Sequence, residues 1–361
     1  MDEEFDFESR IEHLRSLTAA EEVDSLLIVD PLNIRYLSGF SGGEGFLFVD
    51  GESATLVVDG RYTKQARGEV QGTRVLEYAD KVEGVLEVIL SGDRRKIGFE
   101  AGAVTYELFT KISDGMPDSS RLVPLKKSPA VLRACKDAGE LVRMKEAAKI
   151  ATRALRKTFE TLTEGTLERE FALLLNWHMA LEGSEKPSFD TIVASGANGA
   201  LPHARPGSRP FKRGDFIVID YGAVFEGYHS DETYTACLGR ATTEQRRVYE
   251  TVLAAHDRAL EAVRPGVLCR ELDGIARTYI EQAGFGSYFV HGTGHGVGLD
   301  VHEVPTMSPR SEDRLEEGMI ITIEPGIYLP DRFGVRIEDM ILVTGDGFEV
   351  LSETPKNFVE L

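Results

Sequence analysis

The sequence predicts an α+β protein in two parts: a smaller α/β domain over residues 1–127 and a larger domain over residues 128–361. Three observations predict it. The 361 residues are too many for one small core. Short strands and helices alternate through the first third. After Lys126-Lys127-Ser128-Pro129 the chain changes to long helical stretches with few breakers, each pair followed by strands and glycine-rich turns.

In order, Ile11, Leu14 and Leu17 mark one helical face, and Leu26-Leu27-Ile28-Val29 a buried strand. Gly45–Val49 and Ala54–Val58 flank Asp50-Gly51, which predicts a hairpin. A helix is expected from Tyr62, another over Val82–Leu90, a strand at Lys96–Phe99 and a helix over Tyr106–Ile112. The larger domain predicts helices over Ala138–Thr161 and Leu167–Leu181, strands and loops over Asp190–Thr235, helices over Thr243–Val263 and Arg270–Ala283, and strands to about Val343. This is a repeat of plan, helix-helix-strands twice, without repeated residues.

A net charge of −19 opposes binding to nucleic acid or an anionic membrane. Hydrophobic residues make up 42%, enough for packed cores, yet no apolar run approaches the roughly 18 residues of a membrane span. The acidic start lacks the pattern of a signal peptide. Cys135, Cys237 and Cys269 are odd in number and widely spaced, which predicts a reducing compartment, the cytoplasm.

The chemistry concentrates in the larger domain. Phe216–Asp220 reads as a buried strand ending in a carboxylate, and the chain returns through Ser230-Asp231-Glu232-Thr233 after a turn near Phe225-Glu226. A hairpin symmetric about that turn sets Asp220 opposite Asp231, with Cβ atoms about 5 Å apart. Two buried carboxylates this close repel, and a cation is the simplest remedy. Glu324 and Glu338 lie symmetrically about Asp331, predicting a second hairpin that opposes two glutamates. The four acids sum to −4, the charge that two divalent ions neutralise, and His295 adds a neutral nitrogen donor. A mostly carboxylate set suits Mn²⁺, with Co²⁺ or Zn²⁺ as alternatives. Taken singly, a strand ending in an acid is ordinary, and a lone His203 more often serves surface or core. The glycine run around His295 fails the G-x-G-x-x-G spacing, and His302-Glu303 does not continue as a zinc-protease helix. The coincidence of two acidic hairpins with a histidine-rich strand carries the functional reading.

These motifs resemble those of the pita-bread metallopeptidases, a group that includes methionine aminopeptidases, prolidases (Xaa-Pro dipeptidases) and aminopeptidase P. The matching runs are Ser188–Gly196, Leu201-Pro202-His203, Ile219–Gly222, Ser230–Thr233, His291–Gly296, Val301-His302-Glu303, Thr322–Gly326 and Val335–Asp339. Leu37–Gly42 and Asp59–Tyr62 resemble the creatinase-type N-terminal domain of prolidases and aminopeptidase P. The resemblance implies a pita-bread catalytic domain, two divalent ions on Asp220, Asp231, His295, Glu324 and Glu338, and a homodimer. It implies hydrolysis of the X-Pro bond of a proline-containing peptide by a metal-bridging hydroxide. Glu324 would then act as proton shuttle, His291 and His302 as donors to the carbonyl oxygen, His203 as a positioning group and Arg336 as the residue orienting an acid. A creatinase-type amidinohydrolase and a non-catalytic peptide- or protein-binding platform on the same fold are the alternative readings. The complete donor set disfavours the amidinohydrolase.

Overall fold

The computed structural model describes residues 5–92 and 96–361. The chain divides into two compact units, one ending at Arg133 and the other running from Ala134 to Leu361.

In the first unit, α1 (Phe7–Glu21) buries Phe7, Ile11 and Leu14 and starts on the side chain of Asp6, which accepts from Ser9 N at 2.9 Å. Then come β1 (Ser25–Ile28) and α2 (Pro31–Ser38), where Asp30 caps the helix and Pro31 opens it. The sequence reading lacks α2, since eight residues give too few turns for a periodic stripe; its Asp-Pro start was a usable signal. The hairpin expected around Asp50-Gly51 forms from β2 (Phe46–Asp50) and β3 (Ala54–Asp59). Next are α3 (Thr63–Glu69), β4 (Arg74–Tyr78), α4 (Lys81–Leu90) and β5 (Ile97–Phe99). The unit closes with α5 (Tyr106–Gly115) and β6 (Leu122–Pro124). β4 was also missed: it is an edge strand, and exposed Arg74 and Glu77 interrupt its apolar run. The sheet order is β4-β3-β2-β1-β5-β6, over a core that includes Leu27, Phe46, Phe48, Val57 and Ile89.

The second unit follows the twice-repeated plan. α6 (Ala138–Phe159) opens on a reciprocal cap between Asp137 and Glu140, and α7 (Glu168–Leu181) follows. The next strands are β7 (Ile192–Ser195), β8 (Phe216–Tyr221), β9 (Val224–Phe225), β10 (Tyr228–His229) and β11 (Glu232–Cys237). α8 (Thr243–Glu261) opens on a second reciprocal cap, Thr242 with Gln245, and α9 (Cys269–Gln282) completes the second helix pair. The last strands are β12 (Gly294–Gly296), β13 (Glu303–Met307), β14 (Ile320–Ile323), β15 (Gly326–Leu329), β16 (Phe333–Arg336), β17 (Asp339–Val343) and β18 (Phe348–Val350). They pair as β11-β8-β7, β13-β12-β14-β17-β18, β9 with β10 and β15 with β16.

Period-two alternation decides what each strand gives to the interior. Ile217, Ile219 and Tyr221 pack with Ala151, Phe171 and Leu175 of α6 and α7, so Asp220 takes the other face. Ile321, Ile323, Val335 and Ile337 join Tyr249 and Val252 of α8. Thr322, Glu324, Arg336 and Glu338 are thereby turned the opposite way.

The first hairpin corrects one expectation. Its turn is Glu226-Gly227, at φ 47° and 81°, the left-handed pair that a two-residue hairpin turn requires. Tyr228 pairs with Phe225, and Asp220 lies opposite Thr233 rather than Asp231. The centre sits one residue beyond the expected place, which moves the pairing by two and preserves the face. Asp231 is thus the diagonal neighbour of Asp220, a relation that spans about 7–8 Å between Cα atoms. In the second hairpin Ile323 faces Asp339 and Gly326 faces Arg336, about Asp331 at φ 60°. That register sets Glu324 against Glu338, as their symmetry about Asp331 predicts.

At Gly222 the strands bearing Asp220 and Asp231 approach closely: a Cβ there would lie 1.9 Å from the Ser230 carbonyl oxygen. Gly222→Ala is expected to cost about 1–3 kcal/mol of stability, read by denaturant melting. An unchanged melting curve would contradict so close an approach.

Candidate functional site

Asp220 lies near the end of β8, Asp231 one residue before β11, His295 inside β12, Glu324 one residue past β14, and Glu338 between β16 and β17. All five line one cavity of about 700 Å³, which His203, His291, His302 and Arg336 also line. Ligand atoms of Asp231, His295 and Glu338 fall within 4.8 Å of one another. His295 Nε2 lies 3.5 Å from Asp231 Oδ2 and 3.4 Å from Glu324 Oε1. Asp220 stands apart from that trio, with Oδ2 accepting a hydrogen bond from Arg336 Nη2.

The donor set fits a cation on three grounds. His295 Nδ1 donates to the Gly296 carbonyl at 2.9 Å, since a carbonyl only accepts. The neutral ring then turns its Nε2 lone pair toward two carboxylates, an arrangement that calls for a proton or a cation between them. Asp220 Oδ1 is buried with no hydrogen-bond partner among the described residues. Burial pushes the Asp231 and Glu338 carboxyls well above the usual carboxylate range, and their acidic neighbours push the same way. Burial likewise raises Glu324, against the pull of His291 and Arg336.

Arg336 organises the acids. Besides Asp220 it donates from Nε to Thr233 Oγ1 at 3.0 Å and from Nη1 to Tyr328 OH at 2.8 Å. Thr233 Oγ1 donates in turn to Glu338 Oε2 at 2.7 Å, so the arginine reaches Glu338 through the threonine. The sequence reading missed both Thr233 and Tyr328. Strand parity was the available signal, because Thr233 shares a face with Asp231, and Tyr328 with Glu324.

The histidines fall into two kinds. In His291, Nδ1 donates to the Gly292 carbonyl at 2.7 Å and Nε2 accepts from Tyr328 OH at 2.9 Å. Both nitrogens are engaged, which leaves no ring N–H for the oxyanion contact expected of this residue. The rings of His203 and His302 make no hydrogen bond among the described residues. His302 lies against His295 with ring centroids 4.3 Å apart and the rings tilted by 54°; desolvation first, then the neighbouring His295, lowers its pKa.

His302 sits on a turn wrapped around a buried carboxylate. Glu303 Oε1 accepts from Asp300 N at 3.2 Å. Glu303 Oε2 meets Lys136 Nζ at 3.1 Å, with both side chains 1% exposed. A Cβ on Gly298 would come within 2.4 Å of Glu303 Oε2, so glycine is what lets the turn close over the acid. The sequence reading gave Lys136 and Glu303 no role; they are 167 positions apart, and only the fold brings them together.

The profile of the Creatinase/Prolidase N-terminal domain matches residues 10–135, and that of metallopeptidase family M24 matches residues 142–345. A Xaa-Pro dipeptidase of Pyrococcus furiosus is 39% identical over 97% of this chain and 99% of its own. The solved structure of a Xaa-Pro dipeptidase from Bacillus anthracis superposes with a TM-score of 0.96 at 35% identity, covering 99% of this chain and 100% of that one. An X-Pro aminopeptidase from Thermotoga maritima gives 0.89 at 34% identity, over 96% and 100%.

The Lys136–Glu303 pair yields a stability prediction. Lys136→Met strands a buried carboxylate and is expected to cost about 3–5 kcal/mol. The double variant Lys136→Met/Glu303→Leu should recover most of that loss in denaturant unfolding. A Lys136→Met protein as stable as wild type would show that the pair does not hold the turn.

Proposed function

We infer the reaction from one premise: the chain belongs to metallopeptidase family M24. Its fold is the pita-bread domain of that family, preceded in sequence by a creatinase-type domain, and it is a metallopeptidase. The reading that fits best is a Xaa-Pro dipeptidase, which cleaves the bond between a first residue X and a terminal proline. One observation carries it: a buried acidic centre with an outward-turned His295 lone pair and an unpartnered Asp220 oxygen, beside two imidazoles free to meet substrate.

Asp220, Asp231, His295, Glu324 and Glu338 would hold two divalent cations, Mn²⁺ in preference to Co²⁺ or Zn²⁺ because most donors are carboxylate oxygens. When bound, such ions ionise a water for attack and polarise the scissile carbonyl. Glu324 takes the proton of the attacking water and delivers it to the leaving proline nitrogen. His302, with its ring unengaged, donates to the carbonyl oxygen as negative charge develops there. His203 positions the substrate and lies ready to donate to the leaving nitrogen. His291 holds Tyr328, and through it one side of Arg336. Arg336 fixes Asp220 directly and Glu338 by way of Thr233. The X-Pro bond is a tertiary amide without an N–H, so a site that binds it cannot rely on that donor. A homodimer belongs to the same reading by family likeness. A cytoplasmic location agrees with three cysteines that are all free thiols.

The deciding assay is manganese-dependent hydrolysis of a matched pair, X-Pro and X-Pro-Y. A dipeptidase is expected to cleave X-Pro at least tenfold better in kcat/KM; a preference for X-Pro-Y identifies an aminopeptidase instead. Chelation should abolish turnover and Mn²⁺ should restore it. Asp231→Ala should lose metal on elemental analysis together with turnover, and wild-type activity in this variant would rule out the proposed centre. His302→Ala should lower kcat by about 10²–10³-fold at unchanged metal content. Loss of metal in that variant would make His302 a ligand.

A further inference from the structure

A dipeptide substrate carries a free carboxylate on its proline, and the site has little to welcome it. The chain bears a net charge of −19, and the cavity wall includes the acidic centre and Asp190. An anionic group entering such a cleft is repelled unless a local cation offsets the field. Among the described residues the lining holds two arginines and no lysine. Arg336 is consumed: it is buried, and its guanidinium is spent on Asp220, Thr233, Tyr328 and the Pro202 carbonyl. Arg205 is the other. It is exposed, and its guanidinium has no partner among the described residues, not even Asp190.

The backbone presents Arg205 on a stretch held at both ends. On one side, the Pro202 carbonyl accepts from Arg336 Nη1 at 3.2 Å, which ties the stretch to the acidic centre itself. His203, with its free ring, comes next, and Ala204 N closes a turn onto the Leu201 carbonyl at 3.1 Å. On the other side, Gly207 N donates to Glu168 Oε2 at 3.1 Å and its carbonyl accepts from Arg169 N at 3.1 Å. Glu168 is fully buried, and its Oε1 also accepts from Ser195 N at 2.7 Å and Ser195 Oγ at 2.8 Å. The four residues between these anchors therefore leave a planar, permanently charged fork at the cavity wall, two positions from a histidine of the site. A guanidinium pairs with a carboxylate through two parallel hydrogen bonds, a match that neither a histidine nor a lysine offers in the same way.

We propose that Arg205 is the specificity residue of this site, pairing with the C-terminal carboxylate of an X-Pro dipeptide and so favouring dipeptides over longer or blocked peptides. The proposal rests on the Xaa-Pro dipeptidase reading above. It is independent of which metal is bound, and it concerns binding of the prime-side end and leaves the bond-breaking step unaltered.

The test compares X-Pro with its neutral C-terminal amide, X-Pro-NH₂, on manganese-loaded wild-type, Arg205→Met and Arg205→Lys enzymes. Because Arg205 is exposed and its side chain makes no hydrogen bond or ion pair among the described residues, the variants should keep the wild-type melting temperature and metal content. Wild type should prefer the acid to the amide. In Arg205→Met, KM for the acid should rise by about 10–100-fold, with a loss on the amide at least tenfold smaller and kcat on the acid nearly kept. Arg205→Lys should recover part of the preference, and added salt should erode it in wild type more than in Arg205→Met. Equal losses on acid and amide, or no loss on either, would overturn this inference while leaving the dipeptidase reading intact. Wild-type enzyme that cleaves neither peptide would overturn both.

Discussion

Four carboxylates share one cleft, and much of the surrounding structure answers to that. At 4 Å, two like charges repel by roughly 4 kcal/mol at the effective dielectric of a protein surface, and by more where water is excluded. Asp231 and Glu338 are buried, and the single cation that reaches the group among the described residues, Arg336, is already committed to Asp220. One positive charge against four leaves three to be offset by protons or cations. The two divalent ions proposed above would overshoot by one and leave room for one further anion at the centre. The hydrogen bonds around the group, from Thr233 to Glu338 and from Thr322 to Glu324, aim carboxylate oxygens inward without neutralising them. Such an arrangement is costly in the protein alone and becomes favourable with bound cations, as expected of a site whose assembly is coupled to metal.

The reverse face of the same strands repeats the problem with a different answer. Glu232 follows Asp231 and Asp339 follows Glu338, so alternation sends one acid of each pair into the site and the next away from it. Lys356, from the C-terminal segment, meets Glu232 Oε1 at 2.5 Å and Asp339 Oδ1 at 3.3 Å. Tyr221 OH donates to Glu232 Oε2 at 3.0 Å. On this face the protein supplies its own cation and leaves little unsatisfied. The contrast distinguishes a structural charge cluster from a candidate metal centre: Lys356 meets both acids of the reverse face, whereas Arg336 pairs directly with Asp220 alone among the four acids of the site.

Much of this was legible in the residues, and the failures have physical causes. Long amphipathic helices such as α6 and α8 showed their period over several turns and carried reciprocal caps at their starts. The second acidic hairpin could be read because its symmetry centre, Asp331, occupies the turn itself. The first was misplaced by one residue, since Glu226 gives no hint that it will adopt positive φ beside Gly227. Asp231 nonetheless stayed on the right face, because a displaced centre moves pairing in steps of two. α2 and β4 were too short or too exposed to leave a period. Partners distant in sequence were beyond any local reading: nothing near Lys136 announces Glu303, and nothing near Arg336 announces Pro202. The engagement of His291 with Tyr328 lies in the same class, since a motif names a histidine without saying which of its nitrogens is already spent.

That last point bears on how substrate choice is encoded. Relatives named as dipeptidases and as an aminopeptidase align along almost the whole chain at nearly equal identity, so overall likeness has no power to separate the two activities. Both chemistries ask the same of the acidic centre: a nucleophile, a proton carrier, and a donor to the carbonyl oxygen. They differ only beyond the proline, where one substrate ends in a charge and the other continues as a neutral chain. A difference of one charge is read by one counter-charge, and a single guanidinium on a fixed stretch of backbone suffices to read it. Because the stretch holding Arg205 is anchored by Arg336 on one side and Glu168 on the other, side chains at its middle can vary without disturbing the five donors. Specificity in this architecture is therefore separable from catalysis by construction, with the wall of the cleft free to change while the acidic centre stays constrained by its own repulsion.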